Sequence, residues 1–203
     1  LVSFCNHVFC LSIYYYIPYV TDILGAAVAF GAMMGVLRKF GSIGGNIIGG
    51  YLADKFGTGK LMLLAYIVML GGQIGIFFVP SGPSSAIIVT ILFITILSFF
   101  HMNYAMAWTM MSEGAVPVEY CGTAAGLICM AGAVPETFIS IFAGSLIDNH
   151  PGITGYHYFF IFLTIIIAVG LILILIWKAY LKRAKIDKSK IDEKAMEELK
   201  QYV

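Results

Sequence analysis

Long apolar runs, separated by short links of Gly, Pro, Ser and charged residues, set the pattern of this chain. The runs cover 1–20, 25–53, 60–80, 85–111, 122–147 and 156–177. Most match or exceed the roughly 20 residues that a helix needs to cross a bilayer core. The links are Thr21-Asp22, Asp54-Lys55-Phe56-Gly57, Ser81-Gly82-Pro83-Ser84, the segment 112–121, and Asp148-Asn149-His150-Pro151-Gly152. This pattern predicts an all-α, polytopic membrane protein with six transmembrane helices over 1–178 and a charged tail over 179–203. Leu1 opens inside an apolar run with no basic leader and no cleavage site. The first helix is therefore expected to be truncated, and it does not read as a signal peptide.

Composition agrees. The 203 residues are 60% hydrophobic and 11% charged, with mean hydropathy +0.92, whereas a soluble domain carries about 25% charged residues. The net charge of +1 gives no reason to expect a nucleic-acid partner. Charge position is more informative: eight of the twelve Lys and Arg follow Trp177, and the others are Arg38, Lys39, Lys55 and Lys60. The links near 22, 82 and 150 hold no Lys or Arg, while the alternate set holds Lys55, Lys60 and the whole tail. The positive-inside rule then puts the tail in the cytoplasm of a cell whose plasma or inner membrane the chain crosses several times. Cys5, Cys10, Cys121 and Cys129 lie scattered in apolar sequence, without disulfide or metal-like spacing. There is no HExxH, GxSxG or P-loop pattern, so no enzyme, metal or cofactor is expected.

Within this frame the stretch 42–60, SIGGNIIGGYLADKFGTGK, is distinctive. Gly44, Gly45, Gly49 and Gly50 each cost roughly 1 kcal/mol in a soluble helix, but between membrane helices they let backbones approach closely. Gly50-Tyr51-Leu52-Ala53-Asp54 closes the second run, and Gly144-Ser145-Leu146-Ile147-Asp148 closes the fifth. The two copies fall on opposite sides of the membrane, as two inverted three-helix repeats would place them.

The segment from Gly50 to Lys60 resembles the G-x-L-a-D-r-x-G-r-k signature of the major facilitator superfamily, which links the second and third helices of each six-helix half. Glu113, Pro117, Glu119 and Gly122 are similar to that family's E-x-x-P…G link between the tenth and eleventh helices. Thr58 and Gly59 depart from the basic cluster of the signature. The resemblance covers 1–177 and matches the carboxy-terminal half. It implies a secondary transporter working by alternating access, with an amino-terminal six-helix half as partner and a small molecule as substrate. It also makes Gly50, Asp54, Lys55, Gly57 and Lys60 a gating motif. A carboxylate at a helix end can face a helix N-terminus in one packing state and leave it in the other.

Ionisable residues at mid-membrane depth are candidates for solute or proton handling. Arg38 and Lys39 fall near the centre of the second run and Glu136 near the centre of the fifth. Arg38 is expected to face the cavity, since guanidinium keeps its charge when buried and grips carboxylate or phosphate in a planar fork. Lys39 is then its pairing or snorkelling neighbour. Glu136 reads either as their salt-bridge partner or as a proton carrier. His101, Tyr104 and Trp108 share one helix face, which either lines the cavity or packs. Asn6 and His7 begin the same cavity, and Tyr14, Tyr15 and Tyr16 line it or form an interfacial belt. Asn46 reads as an interhelical hydrogen-bonding group, and Pro135 as a local break in the backbone ladder. The leading function is transport of a small organic anion, with proton coupling as an option. A membrane-embedded receptor or a non-transporting six-helix subunit is the alternative.

Overall fold

The computed structural model describes residues 1–114 and 116–184, and these form six long helical segments. The first, α1, spans Val2–Ser12 and continues through tighter and wider turns to Ile23. It is followed by α2 (Val28–Phe56), α3 (Thr58–Phe77), α4 (Ala86–Glu113), α5 (Val118–Asn149) and α6 (Ile153–Ala184). Most of the tail expected over 179–203 lies outside the described residues. Among the described residues four stretches are long and apolar enough to cross a membrane: Thr58–Phe77, Pro83–Met111, Glu119–Asn149 and Ile153–Arg183. The α2 helix has the length, but Arg38, Lys39 and its glycines dilute its apolar content. The protein is an all-α polytopic membrane protein.

The helix ends follow local chemistry. Gly57 closes α2 and starts α3 as a single residue, at φ +86°, which an L side chain resists. Its N–H donates to the Ala53 carbonyl, and its own carbonyl accepts from Leu61. In the first segment Pro18 cannot donate a backbone hydrogen bond. The ladder there slips to a wider turn, with Leu24 N–H donating to Tyr19 O and Ala26 N–H to Val20 O. The expected stop at Thr21-Asp22 thus becomes a π-helical turn over Tyr19–Ile23. Pro135 leaves α5 helical on both sides.

Glycine governs which helices meet. A Cβ on Gly45 would come within 2.9 Å of the Ser98 carbonyl carbon, and one on Gly49 within 3.1 Å of Met102 Cα. Gly41 faces Ile94 and Ser98 in the same way. Positions 41, 45 and 49 of α2 therefore track 94, 98 and 102 of α4 at constant offset, so the two helices run parallel in close contact. The α1–α5 pair repeats this design. Ser3 donates to Ile128 O, the His7 ring fills the space beside Gly132, and Tyr15 donates to Ser140 O. All three partners again lie at one offset.

An aromatic core joins these pairs. Tyr16 stacks between Phe93 (4.7 Å) and Phe160 (5.1 Å), and Phe9 packs on Phe100 at 5.3 Å. Half of the α4 span is buried, against 18% of the α5 span. So α4 is central, and α5 turns an outward face carrying Leu127, Met130, Val134, Phe138 and Ile141. The outward residues of α2 are similar: Met33, Val36, Phe40, Ile43, Ile47 and Tyr51. Asn46 lies on that exposed face, so the expected interhelical bond is not made inside this bundle.

A polar seam crosses the core. Tyr66 of α3 lies against Gly170 of α6 and donates to Asn6 Oδ1 at 2.9 Å, while Tyr16 donates to Gln73 Oε1. Replacing Tyr66 by Phe leaves the Asn6 oxygen buried without its donor. The expected loss is about 0.6–1.7 kcal/mol, the average to maximum for hydrogen bonds within membrane bundles. Reversible unfolding of the full-length protein in detergent would measure it, and an unchanged stability would show that the bond contributes nothing.

Candidate functional site

The close α2–α4 contact brings Arg38, Lys39 and Ser42 of α2 beside Leu97 and His101 of α4, with Cys10 and Tyr14 of the first segment closing the space. The result is a cavity of about 130 Å³. At roughly 30 Å³ per water molecule it admits about four waters, or a carboxylate-sized group. The Arg38 guanidinium carbon lies 4.9 Å from the Tyr14 ring centroid, a cation–π contact that covers one face of the fork. Arg38 Nε is buried and has no hydrogen-bond partner. A buried donor on a permanent cation is costly to leave unmatched. Lys39 also borders the cavity but is exposed. Because neighbouring helical residues diverge by about 100°, Arg38 folds over Tyr14 while Lys39 extends outward. The wall is thus cationic, with the Cys10 thiol, the His101 imidazole and the hydroxyl-bearing Ser42 and Tyr14 within it.

His101 is half-buried here with its ring edge-on to Phe100 at 5.0 Å. Tyr104, one turn on, turns instead toward His7, ring to ring at 5.3 Å. Trp108 is exposed. The face that carries His101, Tyr104 and Trp108 therefore divides among three surroundings. His7 Nδ1 donates to Ser3 O at 2.9 Å and its ring packs on Gly132, so it occupies the α1–α5 contact. Asn6 is buried against α3 rather than in the Arg38 cavity. Its Nδ2 has no partner, and neither do Gln73 Nε2 and Asn103 Oδ1.

The side chain of Glu136 lies outside the described residues. Its backbone can still be placed: the constant α1–α5 offset of 125 residues sets position 136 level with Leu11. Arg38 reaches the same segment at Cys10 and Tyr14 from the α2 side. Main-chain position 136 and the Arg38 cavity thus stand at similar depth along α1. At the far end of α2, Gly50, Asp54, Lys55 and Gly57 are exposed, as is Lys60 at the start of α3. Lys55 Nζ lies 5.6 Å from the ring of its neighbour Phe56.

Two polar cavity residues, Cys10 and Ser42, were not among the sequence candidates, whereas Tyr14 was expected to line the cavity or form an interfacial belt and does line it. The only signal for Cys10 and Ser42 was nearness in sequence to Arg38 or to the tyrosine cluster. Among the described residues no group of three or more His, Cys, Asp or Glu side chains could hold a metal ion.

An all-α bundle with several helices long and apolar enough to cross a membrane defines a polytopic membrane protein. The chain belongs to the Major Facilitator Superfamily, whose family model matches residues 1–201. Members of this family are transporters and not enzymes. Over 96 residues the chain is 29% identical to a protein of Bacillus subtilis (strain 168) named uncharacterized MFS-type transporter YttB. That match covers 47% of this chain and 24% of the relative's length. No solved structure matches the chain.

Proposed function

We propose that this chain is the carboxy-terminal half of a secondary transporter that moves a small organic anion by alternating access, with Arg38 as the anion-binding group. The observation that carries the reading is Arg38, a cation whose Nε is buried without a hydrogen-bond partner, lining a cavity large enough for a carboxylate. Lys39 adds charge at the mouth, and His101 and Ser42 offer hydrogen bonds inside. Glu136, whose main chain stands at similar depth along α1, serves as the counter-charge or as the proton carrier; an arriving anion that displaces it from the cations would couple the two movements.

All six helical segments act as spans in this reading, arranged as two inverted three-helix repeats. The pairing pattern supports it. Exchanging α1, α2 and α3 for α4, α5 and α6 turns the close parallel α2–α4 contact into the α5–α1 contact. The G-x-L-x-D segments close α2 and α5, which are equivalent under that exchange. The exposed apolar stripes of α2 and α5 would meet the amino-terminal half, and the 179–203 tail would lie in the cytoplasm. Asp54, exposed in this bundle, would latch onto that half. Asp54→Asn is therefore expected to slow transport at least tenfold while leaving anion affinity within about threefold, a split readable from uptake and binding on one preparation. Equal loss of both would place Asp54 outside the gate.

Thermal stabilisation of the full-length protein by a panel of anions, neutral sugars and amines tests the substrate class. Stabilisation by an anion alone is expected; stabilisation by a neutral or cationic solute alone would remove the anion assignment. Within the site, Tyr14→Leu is expected to weaken anion binding about 2- to 10-fold, since it removes a cation–π support worth roughly 0.5–1 kcal/mol or more. Isothermal titration would read it.

A further inference from the structure

Charge in the Arg38 cavity is not balanced by the residues that line it. Arg38 and Lys39 both border the space, and no described carboxylate does. Among the described residues the acidic side chains are Asp22, Asp54, Glu119 and Asp148, all exposed and all within a few residues of a helix end. The two cations also differ in setting. Arg38 lies over the Tyr14 ring with its Nε buried, whereas Lys39 is exposed. Successive helical residues turn by about 100°, so Ser42, four residues from Arg38 and three from Lys39, points between them. Ser42 is half-buried. Arg38, Ser42 and Lys39 thus form an arc around α2, from its α4 side toward the exposed stripe of Val36, Phe40 and Ile43.

Cavity size decides how a solute meets this arc. The space of about 130 Å³ takes a carboxylate-sized group, so the rest of the solute projects along the arc toward Lys39. A cation in the membrane-embedded part of a protein is costly to leave without a partner. A solute with one charge, seated on Arg38, leaves Lys39 unmatched. Two charges on a single phosphate would sit together at one point of the arc. Two carboxylates joined by a short carbon spacer meet both cations, since both border one small cavity. We propose that the solute is a short-chain dicarboxylate, with its inner carboxylate on Arg38 and its outer one beside Lys39. This rests on Arg38 as the anion-binding group and adds the number and spacing of the charges that the solute carries.

Paired ligands that differ by one charge test it. Full-length protein in detergent is titrated calorimetrically with malonate, succinate and glutarate, and with the monoamide of each, at a pH where both carboxyl groups of the acids are ionised. At least one diacid is expected to bind about fivefold tighter than its own monoamide, the upper end for an ion pair to an exposed cation. Lys39→Gln should bring that ratio below twofold, and Lys39→Arg, which keeps the charge, should retain it. Arg38→Gln should weaken diacid and monoamide alike. Equal binding of every diacid and its monoamide, with both weakened by Arg38→Gln, would leave Arg38 as the anion-binding group and overturn the second charge; Glu136 paired with Lys39 would give that result. A diacid preference that survives Lys39→Gln would overturn the contact with Lys39. Binding by none of the six, or binding that Arg38→Gln leaves unchanged, would remove the Arg38 assignment and this inference with it.

Discussion

Replacing Gly45 by valine should destabilise the bundle severely and reduce the yield of monodisperse full-length protein several-fold. The obstruction is backbone, since a Cβ at 45 would stand 2.9 Å from the carbonyl carbon and 3.1 Å from the Cα of Ser98. No rotamer change relieves it, and α2 must move off α4. Overpacking a well-fitted interior costs about 1–3 kcal/mol where side chains can adjust, and this position lacks that freedom. Gly71 of α3 is the control: nothing lies within 4 Å of its Cβ position, so Gly71→Ala should be neutral or stabilising by up to about 1 kcal/mol. Unfolding of both variants beside the parent would separate a packing effect from a general intolerance of glycine replacement. Equal stability for Gly45→Val and the parent would mean that α2 and α4 are not packed as described. The consequence also reaches the cavity, because Ser42 and Arg38 stand on α2 while Leu97 and His101 stand on α4.

Arg38→Gln should weaken anion binding by roughly 10- to 150-fold, corresponding to about 1.5–3 kcal/mol for hydrogen bonds to a charged group. Arg38→Lys should recover only part of it, because an ammonium keeps the charge but not the planar fork. Lys39→Gln should cost less, since Lys39 is exposed and better solvated. Titration of the stabilising anion against the three variants would rank them, and an equal loss for Arg38→Gln and Lys39→Gln would point to a diffuse field in place of a site.

Helix positions were largely legible in the sequence, because an apolar run long enough to span a bilayer has few other ways to satisfy its backbone. The expected 85–111 stands against Ala86–Glu113, and the glycine-rich approach to Asp54 does end in a one-residue turn at Gly57. The first segment was harder. Pro18 removes a donor, but whether the ladder then stops or widens into a π-helical turn depends on packing of Tyr16 and Tyr19 that periodicity does not encode. The three consecutive tyrosines consequently diverge: Tyr14 supports Arg38, Tyr15 bonds to α5, and Tyr16 is buried against Gln73.

The Arg38 cavity was half legible. Charge at mid-helix marks α2, and glycines announce that some helix comes close. Neither says which one, so the meeting of Arg38 with His101 was not foreseen. The Asn6–Tyr66 bond lies in a different class. Asn6 and His7 adjoin in sequence, yet adjacent helical residues diverge by about 100°, and one turned to α3 and the other to α5.

The most direct test of the Arg38 site is protection of Cys10, which lines the same cavity. In full-length protein with the other cysteines replaced by serine, the rate of reaction with a small methanethiosulfonate would be followed with and without the stabilising anion. The anion should slow modification of Cys10 at least severalfold, and Arg38→Gln should abolish this protection at the same anion concentration. An unchanged rate at saturating anion, with binding confirmed on the same sample, would place the anion elsewhere in the protein and contradict the site.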